Sequence, residues 1–163
     1  MLTHTQQDSK PTIRSALKPR KKRHNLEIRL ACVEDGLDNT GFRKISAYIK
    51  SIHQNTKITY IPTSNYRNII NQLMERVGDD LTDDNINELA EFMAKGDIVA
   101  FSSMTQSAFN VYKIIAKVRK LNPNSYIIWG GIHAIIQPED AIKHADAVCT
   151  GEGEFAFKTF LEL

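Results

Sequence analysis

Glycines and small polar side chains follow several apolar runs in this 163-residue chain. The sequence Gly-Gly-Ile-His at residues 130–133 comes directly after one such run, and Gly-Glu-Gly-Glu at residues 151–154 comes after the next. Ser-Ser-Met-Thr at residues 102–105 follows an earlier one. Glycine allows a backbone to approach a ligand closely, while hydroxyl and backbone N–H groups supply hydrogen bonds. The pattern predicts a site that holds a large flat or extended ligand.

The elements that position these motifs are predicted from apolar runs that alternate with amphipathic segments. Five strands are predicted at residues 26–33, 57–61, 97–101, 125–129 and 145–150. Apolar strands that are each followed by a helix are typical of a parallel sheet covered on both faces. We therefore predict an α/β, flavodoxin- or Rossmann-like fold with strand order 2-1-3-4-5. In this fold the loops after strands one, three, four and five meet at one edge of the sheet.

Six segments show the spacing of amphipathic helices. They begin at Gly41, after Ser64, near Asp83, after Thr105, near Pro138 and at Glu152. The helix after Thr105 is predicted to bury Val111, Ile114, Ile115, Val118 and Leu121. The two consecutive helices between strands two and three are predicted to pack against the sheet.

Basic side chains are concentrated at the N-terminus. Residues 1–24 carry seven Lys/Arg and one Asp, a net charge of +6, whereas residues 25–163 carry −4. Because no aromatic residues are interleaved and no amphipathic helix follows, we interpret this basic segment as a disordered leader before the domain at residues 25–163. Nucleic acid is not expected as a partner. No apolar stretch is long enough for a bilayer, so a cytoplasmic protein without a membrane partner is expected.

The cysteine and histidine pattern bears on metal chemistry. Cys32 and Cys149 fall in predicted strands and are expected to be free, small apolar side chains. Without a C-x-x-C motif, the chain is not expected to hold an iron–sulfur cluster of its own. His133 has no second ligand at metal-binding spacing, so we expect it to form a local hydrogen bond or to line the pocket.

Three common ligands of this fold are disfavoured by the residues at the strand ends. Residues 151–156 match the letters G-x-G-x-x-A of a dinucleotide site, but two glutamates within them would repel a pyrophosphate. A phosphoryl receiver would need Asp and Lys where this chain has Ser102 and Thr150. A flavodoxin would need a hydroxyl-rich loop where residues 35–38 are acidic.

Taken together, the motifs resemble the cobalamin-binding domain at the N-terminus of radical SAM enzymes. The resemblance rests on residues 98–105, 130–133 with Pro138 and Glu139, and 151–154, and it covers residues 26–163. It implies a Rossmann-like domain whose strand-end loops hold the corrinoid. The residues to which it assigns cofactor contacts are Asp38, Thr40, Gly41, Ser102, Ser103, Thr105, Gly130, Gly131, His133, Gly151, Glu152 and Gly153.

The chain departs from the family pattern after strand one. Many cobalamin modules carry Asp-x-His-x-x-Gly there, and counting back from Gly41 puts Asp38 at the histidine position and Gly36 at the aspartate position. A carboxylate is a poor substitute for imidazole on this cobalt. The resemblance therefore implies that cobalamin is held without a protein histidine ligand.

A second departure is that no barrel and no cluster-binding cysteines follow before Leu163. The resemblance implies that the iron–sulfur cluster and S-adenosylmethionine belong to a radical SAM barrel, in cis or in trans, and this chain alone is not expected to be catalytic. One alternative is a degenerate Rossmann-like docking domain that has lost cobalamin binding, which filled space between the loops would favour. A less favoured hypothesis is a small stand-alone enzyme that uses His133 and Glu152.

Overall fold

A five-stranded parallel β-sheet forms the centre of the computed structural model, which describes residues 26–34, 39–63 and 81–162. The strands are β1 (Ile28–Val33), β2 (Thr56–Ile61), β3 (Ile98–Ser103), β4 (Tyr126–Gly130) and β5 (Ala147–Val148). They lie in the order β2-β1-β3-β4-β5, and every neighbouring pair is parallel. The predicted α/β fold and strand order are confirmed.

The helices of the described residues connect these strands and cover the sheet. They are α1 (Thr40–Ile52), α2 (Asp83–Met93), α3 (Ala108–Leu121), α4 (Ile132–Ile136), α5 (Pro138–Ala141) and α6 (Gly153–Glu162). Two of them begin at side-chain caps, which satisfy N–H groups that a first helical turn leaves without partners. Asn39 Oδ1 accepts from the N–H of Phe42 at 2.7 Å, and Thr82 Oγ1 accepts from that of Asn85 at 3.2 Å.

Three predictions concern residues outside the described ranges. They are the disordered basic leader at residues 1–24, the helix after Ser64 and the cofactor contact at Asp38. Among the described residues, no helix is both long enough and apolar enough to cross a lipid bilayer.

Alternation along the strands divides the apolar side chains between two cores. On one face of the sheet, Phe101 and Trp129 pack with the buried sides of α2 and α3. On the other face, Leu30 and Ile128 pack with residues of α1 and α6. All six residues of β1 are buried, because this strand lies between β2 and β3 and is covered on both faces. One face of the sheet is therefore covered by α2 and α3, and the other by α1 and α6.

The strand ends differ from the sequence prediction in a way that affects the site. β3 continues through Ser103 and β4 through Gly130, because these polar and small residues still pair with the neighbouring strands. β5 is shorter than predicted and pairs with β4 through only two residues. The short helix α4 was not predicted. Leu121, predicted to be buried, is 56% exposed because it is the last residue of α3, one turn beyond the buried Val118.

Candidate functional site

An open cleft of about 2390 Å³ lies on the face of the sheet that α1 and α6 cover. Its floor consists of side chains that alternate onto this face, where Leu30, Ala100 and Ile128 lie side by side on adjacent strands; Leu30 and Ile128 are buried in the core and Ala100 is half-buried. At the carboxyl ends of the strands, Ser102 lies beside Gly130. The floor is therefore apolar along most of its length and becomes small and polar at the edge of the sheet.

The walls of the cleft are mainly apolar. Phe42 and Ile49 of α1 line one side, and Phe157 and Phe160 of α6 line the other. Phe160 stacks on Tyr126 of the floor, with ring centroids 5.0 Å apart. Apolar walls with a few polar groups at one end are typical of cofactor sites, in which the polar groups fix the orientation of the ligand.

The corner that follows β4 requires glycine at one of its two positions. Gly131 has φ 86° and ψ −174°, a backbone conformation that is essentially restricted to glycine. A Cβ atom on it would lie 2.8 Å from both Ser102 Oγ and the backbone nitrogen of Ser103. A Cβ atom on Gly130 would make only ordinary contacts, the nearest at 3.6 Å from Cys149 Cβ. Gly131 therefore permits the close approach of the chain to β3, whereas Gly130 leaves space in the cleft.

A buried carboxylate links the floor of the cleft to α1. Glu34 lies directly after β1 and accepts hydrogen bonds from Cys32 Sγ at 2.9 Å and from Asn39 Nδ2. Burial, followed by the bond to Glu34, raises the pKa of the Cys32 thiol, so the thiol stays protonated and donates. Asn39 in turn caps α1. Glu34 was not predicted as a site residue, although a polar side chain that follows a buried strand is a recognisable signal.

Seven of the predicted site residues line this cleft. They are Gly41, Ser102, Gly130, Gly131, Gly151, Glu152 and Gly153. Thr40 and Thr105 are exposed at the first residues of α1 and of the 3₁₀ turn after β3, outside the lining of the cleft. The parallel sheet brings the seven together because its loops after β1, β3, β4 and β5 meet at one edge.

Ser103 and His133 point to the opposite face of the sheet, away from the predicted ligand edge. Ser103 is 1% exposed and accepts a hydrogen bond from Trp129 Nε1 at 3.0 Å. His133 is 2% exposed, and its ring lies 4.9 Å from that of Trp129. The physical reason is alternation: β3 extends through residue 103, so Ser103 faces opposite to Ser102, and α4 turns His133 inward. Among the described residues, no group of three or more His, Cys, Asp or Glu side chains could hold a metal ion.

Behind the glycine corner, a polar network joins α3, α4 and α5. Tyr112 OH donates to Asp140 and lies 3.3 Å from His133 Nε2, so the local hydrogen bond expected for His133 is present. Burial, followed by the bond to Asp140, raises the pKa of Tyr112 to about 12. The same bond lowers the pKa of Asp140. Burial lowers the pKa of His133, whose Nδ1 atom is buried without a partner. His133 is therefore neutral at neutral pH.

The stability of the protein is expected to fall when the pH is lowered through the range in which histidine titrates. Because the pKa of His133 is lower in the folded chain, the unfolded chain binds more protons just below the ordinary histidine pKa of about 6.5. The contribution of neutral His133 to the free energy of unfolding is therefore complete above the ordinary histidine pKa. It is lost as the pH falls through the lower pKa that His133 has in the folded chain. Asp140 opposes the shift and His144 adds to it.

Chemical denaturation at several pH values would measure this dependence, with His133→Phe as the matched variant. Phenylalanine keeps a ring against Trp129 but has no group that titrates, and it removes the unpartnered nitrogen. The free energy of unfolding of this variant should depend less on pH between neutral and mildly acidic conditions than that of the wild type. Parallel pH profiles for the two proteins would contradict the assignment.

Part of the chain is similar in sequence to curated proteins. An uncharacterized methyltransferase of Pyrococcus horikoshii is 27% identical over 96 residues, which are 56% of this chain and 20% of that protein. An anaerobic magnesium-protoporphyrin IX monomethyl ester cyclase of Rubrivivax gelatinosus is 26% identical over 98 residues, which are 58% of this chain and 17% of that protein. The chain therefore matches only about a fifth of the length of these relatives.

A solved structure and a family model cover more of the chain. The monomethylamine corrinoid protein of Methanosarcina barkeri superposes with a TM-score of 0.54 at 17% identity, over 87% of this chain and 60% of that chain, which supports the fold alone. The model of the B12 binding domain matches residues 30–161. This match confirms the resemblance to a cobalamin-binding domain. The chain belongs to the B12 binding domain family.

Proposed function

We propose that this chain holds cobalamin in the cleft between the sheet and helices α1 and α6, and that it does so without a protein histidine on the cobalt. The observation that carries the proposal is the cleft itself. It is open, apolar along its floor and bounded by small residues at the carboxyl ends of β3 and β4. This is the place at which doubly wound parallel sheets bind ligands.

The residues of the cleft fit the group that the family implies. Ser102 offers a hydroxyl at the edge of an otherwise apolar floor, and Gly130 beside it has no side chain to fill the space. We propose that these two residues, with Gly131, hold the part of the cofactor nearest the strand ends. The other proposed contacts are Gly41, Gly151 and Glu152, which line the cleft, together with Thr40 and Thr105 outside its lining and Asp38, which lies between β1 and α1 in the sequence. Gly153 faces Ile45 of α1, so we assign it to the contact between the two helices. When bound, cobalamin supplies a cobalt centre that can carry and transfer a methyl group.

The positions of the histidines support the absence of a protein ligand to cobalt. His53, His133 and His144 are the histidines within the described residues, and none of them lines the cleft. His133 instead packs on the far side of the sheet against Trp129. The group that follows β1 in the cleft is the carboxylate of Glu34, which already accepts hydrogen bonds from Asn39 and Cys32. Carboxylates are weak ligands for this cobalt compared with imidazole.

We further propose that the chain works with a radical SAM domain, in cis or in trans, that carries the iron–sulfur cluster and S-adenosylmethionine. The match covers only about a fifth of each named relative, which leaves room in those proteins for a separate catalytic domain. One relative is named a methyltransferase and another a cyclase, so the family match does not select the reaction. In this arrangement the chain positions a cofactor and the partner domain performs the chemistry.

The alternative function, a docking domain whose pocket has been lost, is less well supported. It requires filled space between the loops after β1, β3 and β4. Within the described residues, Glu34, Ser102 and Gly130 at those positions all line an open cleft, and residues 35–38 of the loop after β1 lie outside the described ranges. The open cleft favours a bound ligand over a purely structural role.

The test of the proposal is direct binding of hydroxocobalamin or methylcobalamin to the purified protein. We expect the corrinoid to co-elute with the protein in gel filtration and to show the absorption spectrum of the base-off form, without a signature of histidine coordination. No spectral change and no retention at saturating corrinoid would reject the proposed function. A spectrum of a histidine-bound corrinoid would reject the histidine-free part alone.

A substitution in the floor tests the location. Ala100 is half-buried between Leu30 and Ile128, so the Ala100→Leu variant should fill the centre of the cleft and weaken corrinoid binding at least about tenfold, a loss of about 1.4 kcal/mol. Because Ala100 also packs against the core on this face, the larger side chain should in addition lower the free energy of unfolding by about 1–3 kcal/mol. Isothermal titration and chemical denaturation would measure both effects.

The matched control is Ala47→Leu. Ala47 is exposed on α1 and outside the lining of the cleft, so the same change there should leave the affinity unaltered. Equal affinities for the Ala100→Leu and Ala47→Leu variants would place the corrinoid elsewhere.

A further inference from the structure

Helices α1 and α6 meet at the Gly-Glu-Gly-Glu turn at residues 151–154, and two contacts join them there. Lys44 Nζ lies 2.9 Å from Glu154 Oε1. A Cβ atom on Gly153 would overlap Cδ1 of Ile45, so the two helices approach as closely as glycine allows. All four residues of these contacts also line the cleft. The contacts therefore join its two walls near the carboxyl edge of the sheet.

The rest of α6 is held independently of this turn. Phe157 is 6% exposed in the core between the sheet and the helices, and Phe160 stacks on Tyr126. On the other side of the turn, a Cβ atom on Gly151 would meet no atom within 4 Å, and β5 already ends at Val148. The first turn of α6 thus lies between an anchored helix and a glycine with open space around it.

The ion pair at the turn is of a kind that opens easily. The Lys44 side chain is 71% exposed, so one partner of the pair lies in solvent, whereas the Glu154 side chain is 17% exposed. The hydrogen bond between Lys44 and Glu154 lowers the pKa of the glutamate and raises that of the lysine, and Glu152 acts on Lys44 in the same direction. Both groups are therefore charged at neutral pH. Exposed ion pairs of this kind contribute little stability and are screened by salt.

We propose that the turn at residues 151–154 is a latch that joins the walls of the cleft over a bound corrinoid and sets how fast the corrinoid enters and leaves. The inference rests on the proposed binding of cobalamin in this cleft. A latch differs from a ligand contact in its kinetics. Opening it speeds association and dissociation together and leaves the dissociation constant nearly unchanged, whereas loss of a ligand contact mainly speeds dissociation.

Two independent pairs of variants test the latch. Glu154→Gln removes the ion pair, and the charge exchange Lys44→Glu with Glu154→Lys should restore it. Gly153→Val separates the helices sterically, and Ile45→Ala in the same chain should make room for the valine. The rates are measured by stopped-flow mixing with hydroxocobalamin and by displacement, and hydrogen exchange of residues 153–156 is followed in the protein without corrinoid.

We expect Glu154→Gln to raise both rate constants by about two- to fivefold at low salt, with the difference vanishing at high salt. Gly153→Val should raise both rate constants independently of salt. Hydrogen exchange of the turn should be faster in each single variant, and each double variant should return toward the wild type.

Three outcomes would overturn the latch. They are unchanged rate constants, faster dissociation alone with a matching loss of affinity, or unchanged hydrogen exchange at the turn. These outcomes leave the proposed function standing, because the variants still bind the corrinoid. If the wild type does not bind hydroxocobalamin, the proposed function is rejected, and the latch is rejected with it because it then has no ligand to hold.

Discussion

The free energy of unfolding of the Trp129→Ala variant is expected to be about 4 kcal/mol lower than that of the wild type, because the substitution removes a large, fully buried ring. Trp129 lies at the centre of the core beneath α3, where its ring contacts those of Tyr112 and His133. Its Nε1 atom donates to Ser103 Oγ, which is also buried. The substitution therefore leaves a cavity and an unpaired hydroxyl at the same place.

Trp129→Phe is the matched variant because it keeps an aromatic ring and removes the N–H group. We expect it to lose about 1–2 kcal/mol, from the unpaired Ser103 hydroxyl and the smaller ring. Urea denaturation followed by circular dichroism measures both variants, since Trp129 is the single tryptophan of the chain and fluorescence is lost with it. Equal losses for the two variants would show that the hydrogen bond outweighs the packing of the ring, contrary to our expectation.

The Gly131→Ala variant is expected to lose about 3 kcal/mol of stability and to bind corrinoid poorly. Two effects add at this position. Alanine is strained at φ 86°, and its Cβ atom would lie 2.8 Å from the backbone nitrogen of Ser103, which cannot move without disturbing β3. The corner between β4 and α4 must then shift, and Gly130 shifts with it.

Gly130→Ala provides the control for this prediction. Its added carbon would meet no atom closer than 3.6 Å, so its stability should remain within about 1 kcal/mol of the wild type. Thermal denaturation of the two variants compares them directly, and gel filtration with hydroxocobalamin reports on the cleft. If Gly131→Ala proved as stable as Gly130→Ala, the backbone constraint at residue 131 would be rejected.

The fold was predictable from sequence because each strand is a short apolar run bounded by polar or turn-forming residues. Strand order followed from the alternation of strands and helices, and the starts of α1, α2, α5 and α6 lie within one residue of their predicted positions. The strand ends were less predictable. Ser102, Ser103 and Gly130 are typical loop residues, and only their pairing with neighbouring strands, which composition does not reveal, keeps them in the sheet.

The site was predicted as a set of loops but not as a set of side-chain directions. The sequence motifs named Ser102 and Ser103 together, although alternation places one in the cleft and the other in the opposite core. His133 was expected near the ligand, but α4 begins one residue before it and turns it inward. Glu34 was missed because its role depends on Asn39, and a hydrogen bond across a loop leaves no periodic signal.

The alternation of β3 also has a consequence for protein engineering. Ala100 and Ser102 are the positions of β3 that can be varied together to change the lining of the cleft, while Val99, Phe101 and Ser103 are kept to preserve the packing and the hydrogen bond on the opposite face. Insertion or deletion of a single residue in this strand would exchange the two sets and turn Phe101 into the cleft. Diversity in this strand should therefore be introduced at every second position and never by a change in length.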